Sequence, residues 1–197
     1  MSYFKQLKLV VCTTLLLALS VSSLAKAVTL DVNANWEYWR YNYEPMSFAS
    51  GTYKITPIGV AGGGLYNAWN AWGPGEVAGC DAAGMCSRGY INSYSFGYVG
   101  ANDFIYEIAT IGGSVVAGTA LAFETPLLAL ANAESYVISL TQPAKLYFYL
   151  KDGENWYYDN SGGMSFSIQA VPEPESYALM LAGLGILGVV AGRRRYA

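Results

Sequence analysis

The chain has no histidine, only three cysteines in 197 residues, and charged side chains at just 13% of its positions. Without histidine no Ser-His-Asp or Cys-His nucleophilic centre can be assembled. Basic groups are scarce in the central segment, where Arg40, Lys54, Arg88, Lys145 and Lys151 stand against twelve Asp and Glu between Asp31 and Asp159. That balance excludes a nucleic-acid partner, since phosphate binding needs clustered Lys and Arg. A carboxylate pair could in principle hydrolyse a glycoside, but Glu37, Glu44, Asp103, Glu107 and Glu124 are scattered and no spacing pairs them. The glycine run from Ala61 to Gly64 lacks the Lys-Ser/Thr of a phosphate loop and reads as a turn. The chain is therefore read as a non-enzyme.

Long apolar runs occur only at the two ends. Lys5 and Lys8 precede an apolar run from Leu9 to Leu19, and Ala25-Lys26-Ala27 supplies the small residues of a signal-peptidase site, so residues 1–27 read as a secretory signal. At the other end, Val171-Pro172-Glu173-Pro174-Glu175 leads into an uncharged run from Ala178 to Gly192 and then Arg193-Arg194-Arg195. That order predicts a proline break, a membrane helix near the lower length limit and a basic stop that stays cytoplasmic. The tail, 171–197, resembles the PEP-CTERM sorting signal, with Pro172, Glu173 and Pro174 as its box and Arg193, Arg194 and Arg195 as its basic end. The resemblance implies recognition by a membrane-embedded exosortase, a transient inner-membrane anchor, and delivery to the cell surface or an extracellular matrix. A permanent one-helix anchor is the alternative.

What remains, 28–170, is one domain's worth of chain. Cys12 leaves with the signal, so the exported part keeps Cys80 and Cys86, an even pair in an oxidising compartment that is expected to be bridged. Closing so small a ring removes about 2 kcal/mol of unfolded-chain entropy in the loop model. Alternation of period two runs through 52–56, 136–140, 145–150 and 164–168, with Gly, Pro and Asn between the runs. Many short strands with polar turns predict an all-β fold, a small β-sandwich of jelly-roll-like form. The Ala and Leu content of 120–134 is helical, but Thr125-Pro126 interrupts it, and its structure stays open.

The densest group of hard oxygen donors is in Leu150 to Ile168, where Asp152, Asp159 and Asn160 crowd a turn between two strand-like runs. Calcium takes about six to eight oxygens from carboxylates, amides and carbonyls, and two carboxylates without a cation repel one another. The same residues are also ordinary turn formers, which is the plainer reading.

The loop resembles the metal loop of the bacterial galactophilic lectins of the PA-I type. The matching positions are Asp152, the carbonyl of Trp156, Asp159 and Asn160, followed by Ser161-Gly162. A second block, Leu65-Tyr66 through Trp72-Gly73-Pro74, resembles the region in which a Tyr carbonyl is a further ligand, here Tyr66. A third, Cys80 to Cys86, resembles a short cystine loop of that family, and an insertion lies around Gly89 to Asp103. The resemblance implies one Ca2+ held by Tyr66, Asp152, Trp156, Asp159 and Asn160, with Asp152, Trp156, Asp159 and Asn160 also meeting the hydroxyls of a carbohydrate, galactose-like or a matrix glycan. This chain departs from the family at Gly75-Glu76-Val77-Ala78-Gly79, which is shorter and lacks the family's sugar-contacting His and Gln. The alternative is a structural surface or matrix protein that keeps the sandwich without a ligand. Of Trp36, Trp39, Trp69, Trp72 and Trp156, most are expected in the core, with Trp156 the best candidate for a sugar contact.

Overall fold

A computed structural model describes residues 27–35, 45–100, 105–153, 157–172 and 181–187. The chain divides into two compact units, Ala27–Ala170 and a second formed by Met1–Lys26 with Val171–Ala197.

The first unit is mostly β. Its strands are β1 (Val28–Asn33), β2 (Met46–Phe48), β3 (Gly51–Ile58), β4 (Trp69–Asn70), β5 (Met85–Cys86), β6 (Tyr90–Ile91), β7 (Tyr94–Val99), β8 (Ile105–Ile111), β9 (Ala122–Phe123), β10 (Tyr136–Leu140), β11 (Ala144–Tyr149) and β12 (Ser161–Val171), with one short helix, α1 (Pro126–Ala131). One sheet runs β10-β3-β12-β4-β6-β9-β5 and also carries β1 on β12; the other runs β2-β11-β7-β8. β12 is the longest strand, and it organises the larger sheet: it pairs with β1 from Val28 opposite Ile168 to Asn33 opposite Gly163, and with β4 at Ser161 and Gly162.

Period-two alternation decides which residues form the core. Met164, Phe166 and Ile168 of β12 are buried, as are Ile55 of β3, Ile138 and Leu140 of β10, Leu146 and Phe148 of β11, and Tyr94 and Phe96 of β7. Rings from the two sheets meet, Tyr94 against Phe166 at 4.7 Å and Phe148 against Phe166 at 6.0 Å between centroids. Each such burial stabilises by roughly 1.5–3 kcal/mol. The four alternating runs of the sequence lie in β3, β10, β11 and β12, with Leu150 one residue past the end of β11, and the stretch from Gly89 to Gly100 supplies β6 and β7, whose Ile91, Tyr94 and Phe96 are core.

The Thr125-Pro126 pair begins a helix instead of breaking one. Leu128 N–H donates to Thr125 Oγ1 at 3.1 Å and Pro126 occupies the first turn, where a missing N–H costs nothing. The cystine is present: Cys80 and Cys86 are bridged at the tip of a hairpin whose neck is the Ala78 to Arg88 backbone pair. Within that tip Asp81 Oδ1 accepts from Ala83 N–H at 2.8 Å and Met85 N–H at 3.0 Å.

Of the apolar run from Ala178 to Gly192, residues 181–187 are described and are helical. No helix among the described residues is long and apolar enough to cross a membrane, and the rest of the expected membrane helix lies outside them. Residues 1–26 of the signal segment 1–27, and Trp36, Trp39, Trp156, Glu173, Pro174 and Arg193 to Arg195, also lie outside the described residues.

Candidate functional site

β11 ends in the smaller sheet and β12 begins in the larger one, so the acidic loop is the link that crosses between them. Leu150, only 5% exposed, anchors its start in the core. Asp152 then turns inward and is 7% exposed, while Asn160, just before β12, is 3% exposed. Two contacts hold the loop in shape: Tyr157 Oη donates to the Asp152 carbonyl at 2.9 Å, and Asn160 Nδ2 donates to the Ala34 carbonyl at 3.1 Å. Asp152 Oδ1 accepts from Gly153 N–H at 2.7 Å.

Among the described residues, the buried side-chain nitrogen and oxygen atoms without a hydrogen-bond partner are Asp152 Oδ2, Asp159 Oδ1 and Asn160 Oδ1. A buried polar atom left unpaired costs roughly 1–3 kcal/mol, and a charged one more. All three falling in one loop is therefore a local energetic deficit. Burial pushes the Asp152 carboxyl above the usual carboxylate range, and the charge of Asp159 pushes it the same way; the Gly153 N–H and the nearby Asn160 amide pull against them. Two carboxylate oxygens and one amide oxygen left unpaired in a single loop are what a hard cation relieves. Among the described residues no three His, Cys, Asp or Glu side chains gather where one ion could be held. A cation here would draw on two carboxylates, an amide, and carbonyls or water.

Asp152 and Asp159 open onto a cleft of about 360 Å³, lined also by Ala71, Trp72, Glu76 and Arg88. Buried Asn70 braces two of these lining residues: its Oδ1 accepts from Trp72 N–H at 2.9 Å and its Nδ2 donates to the Glu76 carbonyl at 2.8 Å. The chain between those contacts doubles back at Gly73 and Gly75, whose φ angles of 110° and 75° suit glycine. Arg88, at the neck of the cystine hairpin, donates Nη1 to Glu76 Oε1 at 2.7 Å.

A second, smaller cleft lies on the smaller sheet between Ile105, Tyr147, Tyr149, Leu150, Lys151 and Tyr157. Beside it Glu107 accepts from Tyr149 Oη at 2.6 Å and Lys151 Nζ at 2.9 Å, which hold its carboxyl below the usual range.

The structure thus brings Asp152, Asp159 and Asn160 together. Tyr66 packs beside the start of β12: its N–H donates to Ser165 Oγ, its ring lies against Gly163, and its hydroxyl accepts from Asn33 Nδ2, next to the Ala34 whose carbonyl Asn160 bonds. Trp72-Gly73 also approaches the loop, with Gly73 beside the Asp159 carbonyl. Trp69 is a core residue with its indole N–H on the Ser93 carbonyl at 2.9 Å, and half-buried Trp72 lines the cleft. The residues that sequence reasoning passed over are Asn70, Glu76 and Arg88. Their only signal was the Trp-Gly-Pro-Gly turn, since nothing local ties position 76 to position 88.

Residues 170–195 match the PEP-CTERM protein-sorting motif. No curated protein and no solved structure matches the chain, so the likeness of the central unit to PA-I lectins rests on the residues quoted above. The motif covers the tail, and it carries one conclusion for the whole. The chain is an exported, exosortase-sorted protein, anchored transiently at the membrane before it reaches the cell surface.

Proposed function

We propose that the first unit is a lectin-like sandwich that binds calcium through Asp152, Asp159 and Asn160 and, through that ion, a carbohydrate of the cell surface or extracellular polysaccharide matrix. The observation that carries the reading is the occurrence of three unpaired buried oxygens in one loop. Turn formation alone accounts for Asp, Asn and Gly in such a segment, but it leaves no reason to bury carboxylate oxygens without donors. Backbone carbonyls and water complete the coordination. The C-terminal run serves as the temporary membrane helix, and signal peptidase and exosortase are the partners during export.

Calorimetric titration of calcium into the chelator-treated full chain in detergent tests the site. One ion per chain is expected, with heat abolished by Asp152→Ala. A calcium-dependent signal on a glycan array is the second arm. Absence of calcium binding would leave the alternative, a structural surface or matrix protein whose loop is a turn.

A further inference from the structure

Arg88 shares the cleft with the unpaired carboxylates, and its position is built rather than incidental. Its backbone N–H donates to the Ala78 carbonyl at 3.2 Å and its carbonyl accepts from Ala78 N–H at 3.0 Å, directly behind the Cys80 to Cys86 bridge. Its side chain is 54% exposed and that of its partner Glu76 is 45% exposed. A pair so exposed contributes little to stability, about 0–1 kcal/mol, so the fold has small need of it. The guanidinium offers five N–H donors in a planar fork, and the recorded contact to Glu76 runs through Nη1 alone.

We propose, on the basis of the cation-site reading above, that the cleft takes a uronic acid: Arg88 receives the sugar's carboxylate while the hydroxyls meet the cation held by Asp152, Asp159 and Asn160. Three arguments converge. A guanidinium fork matches a carboxylate with two parallel hydrogen bonds, whereas a hydroxyl uses only part of it. With every group ionised, the three carboxylates Asp152, Asp159 and Glu76 against Arg88 give the cleft a net charge of minus two, which repels an anion. A divalent cation brings it to neutral, so anion binding becomes strictly conditional on the metal. The cleft of about 360 Å³ is within the range for one small ligand, and Trp72 lends an apolar surface for a ring.

The test is calorimetry on the full chain in detergent with methyl glycosides of galacturonate, glucuronate and mannuronate, each against its neutral counterpart. With calcium, at least one uronate is expected to bind tenfold or more tightly than its neutral partner, and chelator should abolish it. Arg88→Gln should bring that ratio close to one while calcium still binds at one ion per chain and no more weakly, since a positive charge beside the site is removed; Arg88→Lys, which keeps the charge and loses the fork, should fall between. An unchanged melting temperature and an intact disulfide in Arg88→Gln exclude misfolding as the cause. Equal affinities for acid and neutral sugars, a preference that survives Arg88→Gln, or calcium binding without any uronate binding overturns the proposal while the cation site stands. Absence of calcium binding in the wild type removes both.

Discussion

Asp152 concentrates opposing forces in one side chain. Its native pKa is raised above that of the unfolded chain, chiefly by burial, so ionising it costs native stability. In metal-free protein this residue therefore contributes most favourably below the unfolded carboxylate pKa of about 3.9, and stability declines as pH rises through the raised native value. A cation reverses the sign, because it binds the ionised form. Asp152→Asn keeps the acceptor for Gly153 N–H and removes the charge. It should raise the metal-free melting temperature by about 2–4 °C, a change on the order of 1 kcal/mol in a chain of this size, while abolishing the rise produced by calcium. Scanning calorimetry with and without calcium reads both effects, and a fall in the metal-free variant would show that the charge is already well satisfied. For wild type, the calcium-induced rise should shrink as pH drops through the raised pKa. Of this residue-scale picture the sequence made legible the donors Asp152, Asp159 and Asn160, because three hard oxygen groups within nine positions are a local pattern. It left illegible which of their oxygens lack partners, since that depends on Ala34, more than a hundred residues away.

Among the elements, the cystine hairpin and α1 show how local chemistry sets up the cleft. The Cys80 to Cys86 bridge closes a seven-residue ring behind Arg88. Replacing both cysteines with Ser should cost about 2 kcal/mol on the entropic model. The loss should be local, visible as faster hydrogen exchange at Ala78, Ser87 and Arg88 while the amides of β11 and β12 stay protected. Uniform loss of protection would mean that the bridge supports the whole fold. Thr125→Ala should cost about 1 kcal/mol through loss of the bond from Leu128 N–H, measured as a lower denaturant midpoint at unchanged slope. The same Thr125-Pro126 pair reads from composition as an interruption; distinguishing a break from a start requires knowing that the chain before it is extended, as it is in β9.

For the whole molecule, Phe166 joins the two sheets, touching Tyr94 and Phe148 with no exposed surface of its own. Phe166→Ala should destabilise by about 3–5 kcal/mol, since a cavity at the sheet interface cannot collapse from one side. Chemical unfolding would measure it, and a loss below 1 kcal/mol would mean that the sheets do not depend on this contact. At the cellular scale the tail governs fate. Changing Glu173 and Pro174 to Ala should leave the chain in the membrane fraction of exosortase-bearing cells, with the wild type released or surface-bound; equal fractionation would show that the box is not read.

The amino-acid sequence alone was sufficient for the export tail, the β class and the bridged cysteines. Each of these is written in neighbouring residues: Pro-Glu-Pro before an apolar run and arginines, period-two alternation, two thiols six positions apart in an exported segment. Tertiary structure alone decided that the acidic loop crosses between sheets, that Tyr66 packs on Gly163 and Ser165 of β12, and that Glu76 and Arg88 complete a cleft with Asp152 and Asp159. The physical reason is strand register: which residues meet across a sheet or a hairpin neck is set by the pairing of distant strands and the packing of their buried faces, and no local pattern encodes it.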